Sequence, residues 1–271
     1  MKTIPSNDLT PAKSDEWLSY DDFAAGIDTY RAASSSLSGV HLDVSYAEGA
    51  ELSLAFASDH VRWKATGPLA TEAELTDPYD AVRVRDDVVF VHLPLESSSH
   101  MVITVVYSET THRALVVRSR IADAPTEGVP QVGQEFWAGV TGGGRPSGEV
   151  PAPSRDLIGK RNLYRYSPHH LYEHIYISSE RYAWQCVQGV QRGHGDTEMT
   201  TTWKFADGLY LFCFREFRIP VASVWLHDLS YALRTTGVFL GLAEDGNAKH
   251  SRAGGHVYPL GAVSYPDVEP I

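Results

Sequence analysis

Glu216 ends the run Leu209-Tyr210-Leu211-Phe212-Cys213-Phe214-Arg215-Glu216. Side chains two apart in a strand share a face, so Glu216 shares its face with Tyr210, Phe212 and Phe214. A carboxylate among rings loses solvation, and its pKa rises into the range of a usable general acid or base. The plainer reading is a rim carboxylate paired with Arg215 or Arg218. Tyr164 and Tyr166 also share a face; their hydroxyls could hold a carbonyl or phenolate oxygen while the rings pack a ligand, or the rings could simply fill a core. In His169-His170-Leu171-Tyr172-Glu173-His174 a strand puts His170, Tyr172 and His174 on one face. The two histidines then stand about 13 Å apart, too far to share a metal ion. Pro168 and the strand-type residues that follow argue against the helix that would join them. No metal is therefore expected, and His174 joins the tyrosines as a group that orients or polarises an oxygen. Trp184, Tyr172, Tyr210, Phe212, Phe214 and Trp225 are expected to line the pocket. His194, in a glycine-flanked loop with Asp196, suits a proton shuttle at a rim, or is a solvated turn. His227-Asp228 ends the next strand and is a secondary candidate. Cys213 lies in an apolar strand and is expected to be buried and inert.

These residues need strands to position them. Alternation of the β type marks 51–56, 82–85, 102–107, 171–177, 181–187, 209–217 and 221–226, with Gly, Asp, Ser and Pro between. One helix is expected from Tyr20 to about Ala33, with Ser19 as N-cap and Asp21 and Asp22 in its first turn. The chain also repeats itself. At an offset of 121 residues Phe56 meets Ile177, Val61 meets Tyr182, Trp63 meets Trp184, Arg83 meets Lys204, Asp86 meets Asp207 and Arg113 meets Arg234. A one-residue slip would exchange inward and outward faces, so a shared phase indicates two copies of one meander. A meander of this size either closes into a barrel or pairs with its twin, and closure removes its edges. The expected architecture is all-β: two tandem lipocalin-like antiparallel β-barrels arising by internal duplication, with a short N-terminal helix. Its parts are an arm and helix over 1–36, a first barrel over 37–121, a packed linker over 122–156 and a second barrel over 157–271. The first copy has Leu95 and Thr104 where the second has Glu216 and Trp225, which places the site in the second barrel.

Composition bounds the partners. The 271 residues carry a formal charge of −11 and are 43% hydrophobic. Nothing forms a basic stripe, so nucleic acid is not an expected partner. No apolar run reaches the ~18 residues of a membrane-spanning helix, and no membrane partner is expected. Residues 1–22 lack the basic head and apolar core of a secretory leader, and Cys186 and Cys213 cannot form a disulfide framework. A cytoplasmic protein that binds a small molecule, and could pair as a homodimer, is the expectation.

Gly159-Lys160-Arg161, Tyr164-Arg165-Tyr166-Ser167-Pro168, Tyr172-Glu173-His174, Tyr182-Ala183-Trp184-Gln185-Cys186, His194-Gly195-Asp196-Thr197, the 209–216 run and Arg234-Thr235-Thr236-Gly237 together resemble the MoaF family, named for molybdenum cofactor biosynthesis. The resemblance covers 156–242 closely and the first half more loosely, and implies a lipocalin-like fold. Gln185, a departure from the His that the family often carries there, is also counted among the candidate ligand-binding residues. The second half is also faintly similar to phenolic acid decarboxylases: Tyr164-Arg165-Tyr166 matches their Tyr-x-Tyr strand and Glu216 their late glutamate, but Gln185 falls near their arginine. The expectation is cofactor-independent acid–base chemistry, of isomerase, cyclase or lyase type, on an apolar or aromatic molecule. Its rivals are a carrier or sensor without catalysis and an accessory role in molybdenum cofactor assembly.

Overall fold

The structure, a computed structural model, describes residues 19–26, 29–98, 100–230, 234–265 and 270. The first half forms β1 (His41–Tyr46), β2 (Ala50–Phe56), β3 (His60–Ala65), β4 (Leu75–Pro78), β5 (Asp80–Arg85), β6 (Val88–Pro94), β7 (Met101–Ser108), β8 (Arg113–Ile121) and β9 (Val132–Thr141). Each strand pairs antiparallel with its sequence neighbour, β1 pairs with β9, and only Tyr79 separates β4 from β5, which act as two halves of one bent strand. The second half forms β10 (Ala152–Pro153), β11 (Lys160–Arg165), β12 (Leu171–Tyr176), β13 (Arg181–Gln188), β14 (Gly195–Ala206), β15 (Leu209–Arg215), β16 (Val221–Asp228), β17 (Arg234–Leu242) and β18 (Ala248–Ala262). There β11 pairs with β18, and β14 pairs with both β13 and β15, which closes the ring; β10 adds to β14. The result is two tandem antiparallel β-barrels.

The 121-residue offset carries β2 onto β12, β3 onto β13, β4–β5 onto β14, β6 onto β15 and β8 onto β17. It fails at one strand in a way that matters. The connection 216–220 is one residue shorter than 95–100, and 229–233 is one longer than 109–112. β16 is therefore slipped by one, and the counterpart of Trp225 is Val105, not Thr104. Val105 packs in the core of the first barrel, as Trp225 does in that of the second, whereas Thr104 shares its face with Val102 and Val106, which pack in the clusters outside that core. The strand β9, which completes the first barrel, lies inside the 122–156 stretch expected as linker.

The strands β6, β7, β15 and β16 are buried almost throughout. Their inner faces fill the barrels and their outer faces pack barrel on barrel, Val88, Phe90, Val106, Leu115 and Val117 against Leu209, Leu211, Cys213, Val224, Leu226 and Val238. Burial on both faces explains the continuous apolar runs in these segments. Cys213 lies in this layer, where burial pushes its thiol pKa up. Two polar pins flank the layer. The Arg85 guanidinium donates to Asp228 at 2.9 and 3.1 Å. Gln134 of β9 donates to Ser223 O at 3.0 Å and accepts from Arg215 at 3.0 Å.

The helix α1 (Tyr20–Gly26) is shorter than expected; Ser19 Oγ caps it by accepting from Asp22 N at 3.2 Å. From Thr29 the chain has no regular secondary structure, and Arg31 N turns back to Thr29 O at 2.9 Å. Tyr30 N donates to Tyr166 O in the second barrel, and Ser35 N to Ala81 O in the first. The physical reason is reach: an extended residue advances about 3.3 Å and a helical one 1.5 Å. Tyr20 is held against Gly241 and by Ser251 Oγ at 3.1 Å, so the following residues must stretch to the other barrel.

Candidate functional site

The inner face of the second barrel is built in layers. One layer is solid. Phe212 sits at its centre, fully buried, with Tyr176, Tyr182, His174 and His227 around it at ring-centroid distances of 4.9 to 5.8 Å. Tyr164 stacks on His174 at 4.3 Å and on His227 at 5.0 Å, and its hydroxyl is 2.5 Å from that of Tyr176. Burial pushes the Tyr164 phenol up to about 12. Next to this plug lies a cavity of about 40 Å³.

Period two brings most of the cavity lining together. Tyr172 and His174 come from β12, Tyr182 and Trp184 from β13, Phe214 from β15, Trp225 from β16 and Phe239 from β17; Tyr166 follows β11 and Glu216 follows β15. Tyr166 lies 5.2 Å from Trp225 and 5.7 Å from Tyr172. Trp225 can enter because Gly237 is opposite it: a Cβ there would stand 2.4 Å from the indole. Among the described residues the Trp225 Nε1 has no hydrogen-bond partner. Tyr172 donates its hydroxyl to Gln191 Oε1 at 2.9 Å.

Glu216 is placed by its own backbone, whose N–H donates to Val221 O at 3.0 Å. Its carboxyl faces the cavity, and among the described residues no hydrogen bond or ion pair holds it. The arginines offered as partners are engaged elsewhere: Arg215 with Gln134 and Thr201, Arg218 with Asp196 at 2.7 Å. Burial raises the pKa of Glu216 well above the usual carboxylate value, and the charges of Glu198 and Asp196 add to the shift. Glu198 is nearly opposite, because β14 and β15 pair Met199 with Arg215. Its Oε2 accepts from Phe217 N at 3.0 Å, yet burial still raises it to about 7. Two neighbouring carboxyls that resist ionisation form a group able to hold or release a proton near neutral pH.

His174 lines the same cavity but is uncharged. Burial lowers its pKa from 6.5 to about 3, and among the described residues its Nδ1 has no hydrogen-bond partner. Below pH 6.5 the unfolded chain takes up a proton here that the folded chain refuses, so this contribution to stability is present at neutral pH and is lost as the pH falls toward 3. The His174→Phe variant is expected to lose less stability on acidification, by about 1.4 kcal/mol per pH unit below pH 6. Urea midpoints at stepped pH measure this; parallel curves for the two proteins would refute it.

Of the residues singled out from sequence, Glu216, Tyr166, His174, Tyr172, Trp184, Phe214 and Trp225 converge on the cavity. The others do not. Tyr164 and Phe212 belong to the plug, so the hydroxyls of Tyr164 and Tyr166 do not meet over one ligand atom. Tyr210 is outside the lining, donating its hydroxyl to Asp156 at 2.9 Å with Lys160 over its ring. Gln185 is on the outer face, donating to Glu173, because Trp184 and Cys186 take the inner positions. His194 is in a turn outside the lining; its neighbour Gln191 supplies the side chain instead. His227 is buried in the plug and hydrogen-bonded to Thr235 at 2.7 Å, and Asp228 is between the barrels. Sequence reasoning passed over Glu198, Gln191, Tyr182 and Phe239. Glu198 was within reach, since it alternates with Thr200 and Thr202 on the buried face of β14. Gln191 lies in a turn, where periodicity carries no signal. Among the described residues no three His, Cys, Asp or Glu side chains are grouped as metal ligands, and no helix is long and apolar enough to cross a membrane.

Comparison with known proteins follows this division of the chain. A family model for the MoaF N-terminal domain matches residues 15–123, and one for the MoaF C-terminal domain matches 151–263. The chain belongs to the MoaF family. The Protein MoaF of Klebsiella aerogenes is 35% identical over 173 residues, 60% of this chain and 66% of that relative, so the match spans just under two thirds of the relative's length. A crystal structure described as a putative beta-lactamase from Burkholderia vietnamiensis overlays 38% of this chain and 95% of its own, with a TM-score of 0.33 and 17% identity. Glu216 and every cavity-lining residue but one fall in the half matched by the MoaF C-terminal domain; the exception is Thr29, from the N-terminal arm.

Proposed function

We propose that this MoaF-family protein binds a small, largely apolar organic molecule in its second barrel and acts on it by acid–base chemistry, as an isomerase, cyclase or lyase that needs no cofactor. The observation that carries this reading is the Glu216 carboxyl, uncompensated in a cavity walled by rings. Glu216 passes a proton to or from the ligand. Glu198 tunes it, while Tyr166, Trp225 Nε1 and neutral His174 orient polar atoms of the ligand. The cavity of about 40 Å³ holds roughly three waters, so a larger ligand enters by turning rings aside. Cytoplasmic residence fits this role.

A carrier without catalysis is the second reading, favoured by the solid ring layer under the cavity. A role in molybdenum cofactor assembly, which the family name suggests, calls for cations to hold a pterin phosphate, and among the described residues no Lys or Arg lines the cavity. The test is to hold the purified protein against a cell extract, identify what it retains by mass spectrometry, and incubate that molecule with the protein. Conversion at a rate at least ~100-fold lower in Glu216→Gln is expected. Recovery of the molecule unchanged would establish the carrier, and equal turnover by the variant would remove Glu216 from the chemistry.

A further inference from the structure

The charge and ring content of this cavity select a class of ligand, an inference that rests on the proposed ligand-binding role of the second barrel. Among the described residues seven aromatic rings line it, together with the Glu216 carboxyl, and no Lys or Arg does. Its one histidine, His174, is neutral at pH 7. Asp196 and Glu198 add negative potential at the Glu216 end. The arginines close to Glu216 in sequence are turned to other partners, Arg215 to Gln134 and Thr201 and Arg218 to Asp196.

The rings and the carboxyl act in the same direction, while the unpartnered Trp225 Nε1 is a donor left for a polar atom of the ligand's body. Aromatic faces carry the negative part of the ring quadrupole, so they attract a cation and repel an anion. A carboxyl without a counter-charge has nothing to gain from a neutral apolar ligand, which displaces its water and offers no hydrogen bond in return. Acceptors are also in place: the Glu216 oxygens, the Tyr166 hydroxyl, and Gln191 Oε1, which spends one lone pair on Tyr172 and keeps another. We propose that the cavity takes an organic cation of the ammonium type, its head against Glu216 and its apolar body among Trp184, Trp225, Phe214 and Phe239.

The proton balance follows. In the empty cavity burial raises the Glu216 pKa, so the carboxyl resists ionisation there. When an ammonium head binds, the carboxyl ionises against it and the proton leaves to solvent. Binding therefore releases a proton, and affinity rises with pH until Glu216 is already ionised in the empty protein.

Calorimetric titration of the full chain tests this with four probes of similar size: butylammonium, tetramethylammonium, 1-butanol and butyrate. Two buffers of different ionisation enthalpy report the proton. Expected are binding of both cations, butylammonium at least ~10-fold tighter than 1-butanol, no binding of butyrate, and proton release on cation binding. In Glu216→Gln the preference for the cation and the proton release both vanish while 1-butanol still binds, which shows an intact cavity. If that variant gives no signal at all, Glu198→Gln is the second arm, expected to weaken the cations and leave 1-butanol unchanged. The proposal is overturned if neither cation binds, if 1-butanol or butyrate matches butylammonium, or if Glu216→Gln keeps the preference. It can fall alone: a neutral or anionic molecule retained from extract and converted through Glu216 would leave the acid–base reading standing.

Discussion

Replacing Phe212 by alanine is expected to destabilise the protein by about 4 kcal/mol, the upper part of the range for a buried aromatic truncated to a methyl. Phe212 is fully buried and touches five rings, those of His174, Tyr176, Tyr182, Phe214 and His227. The barrel wall is hydrogen-bonded on every side and cannot collapse inward to fill the hole. Most of the cost should therefore persist as an open void. Phe212→Leu, which restores much of the volume, is expected to recover more than half of the loss. Urea midpoints for the two variants measure both effects. A loss under about 1 kcal/mol for the alanine variant would mean that the rings relax freely, and the layered description of the barrel would be wrong. The void would also extend the cavity below His174, so apolar probes such as benzene should gain affinity.

Arg85→Ala is expected to cost about 3 kcal/mol, for a reason outside the site. Asp228 is fully buried at the junction of the barrels, and Arg85 is its ion-pair partner. Removing the cation leaves a carboxylate in low dielectric, held by Ser230 N and Oγ at 3.2 and 3.4 Å, and breaking one side of a buried pair costs far more than the pair itself contributes. The double variant Arg85→Ala with Asp228→Asn should regain most of the loss. Arg83 pairs with Glu109 nearby, but both are well exposed, so Arg83→Ala should cost under about 1 kcal/mol. Denaturant curves for the four proteins check the prediction, and equal losses for the two single variants would refute it.

Local chemistry carries much of this architecture in plain view. Alternation marked the strands, and the 121-residue offset marked the duplication, because both depend only on side-chain period and turn length. The same period placed Glu216 with Phe214, and Tyr172 with His174, on the inner face, where the structure has them. Period two says which face a residue takes but not how far along the barrel it lies. Tyr210, Phe212 and Phe214 share a face, yet only Phe214 reaches the cavity.

The slip of β16 shows the limit most clearly. Two turns that differ by one residue in opposite senses leave the strand between them in the other phase, so Trp225 answers to Val105 rather than Thr104. Asp228 reads as a rim residue until the first barrel is packed on it. Cross-strand neighbours such as Glu198 and Glu216, and the arginines drawn away to Gln134 and Asp196, depend on register and docking.

The amino-acid sequence alone therefore determined the strands, their inward faces, the duplication and the family, since these follow from periodicity and residue type within short stretches of chain. Only the tertiary structure decided which inward residues surround open space, which are packed solid, and which charges go unpaired. Those properties come from contacts between residues far apart in sequence, and a carboxyl's charge state depends on everything that surrounds it rather than on its neighbours in the chain.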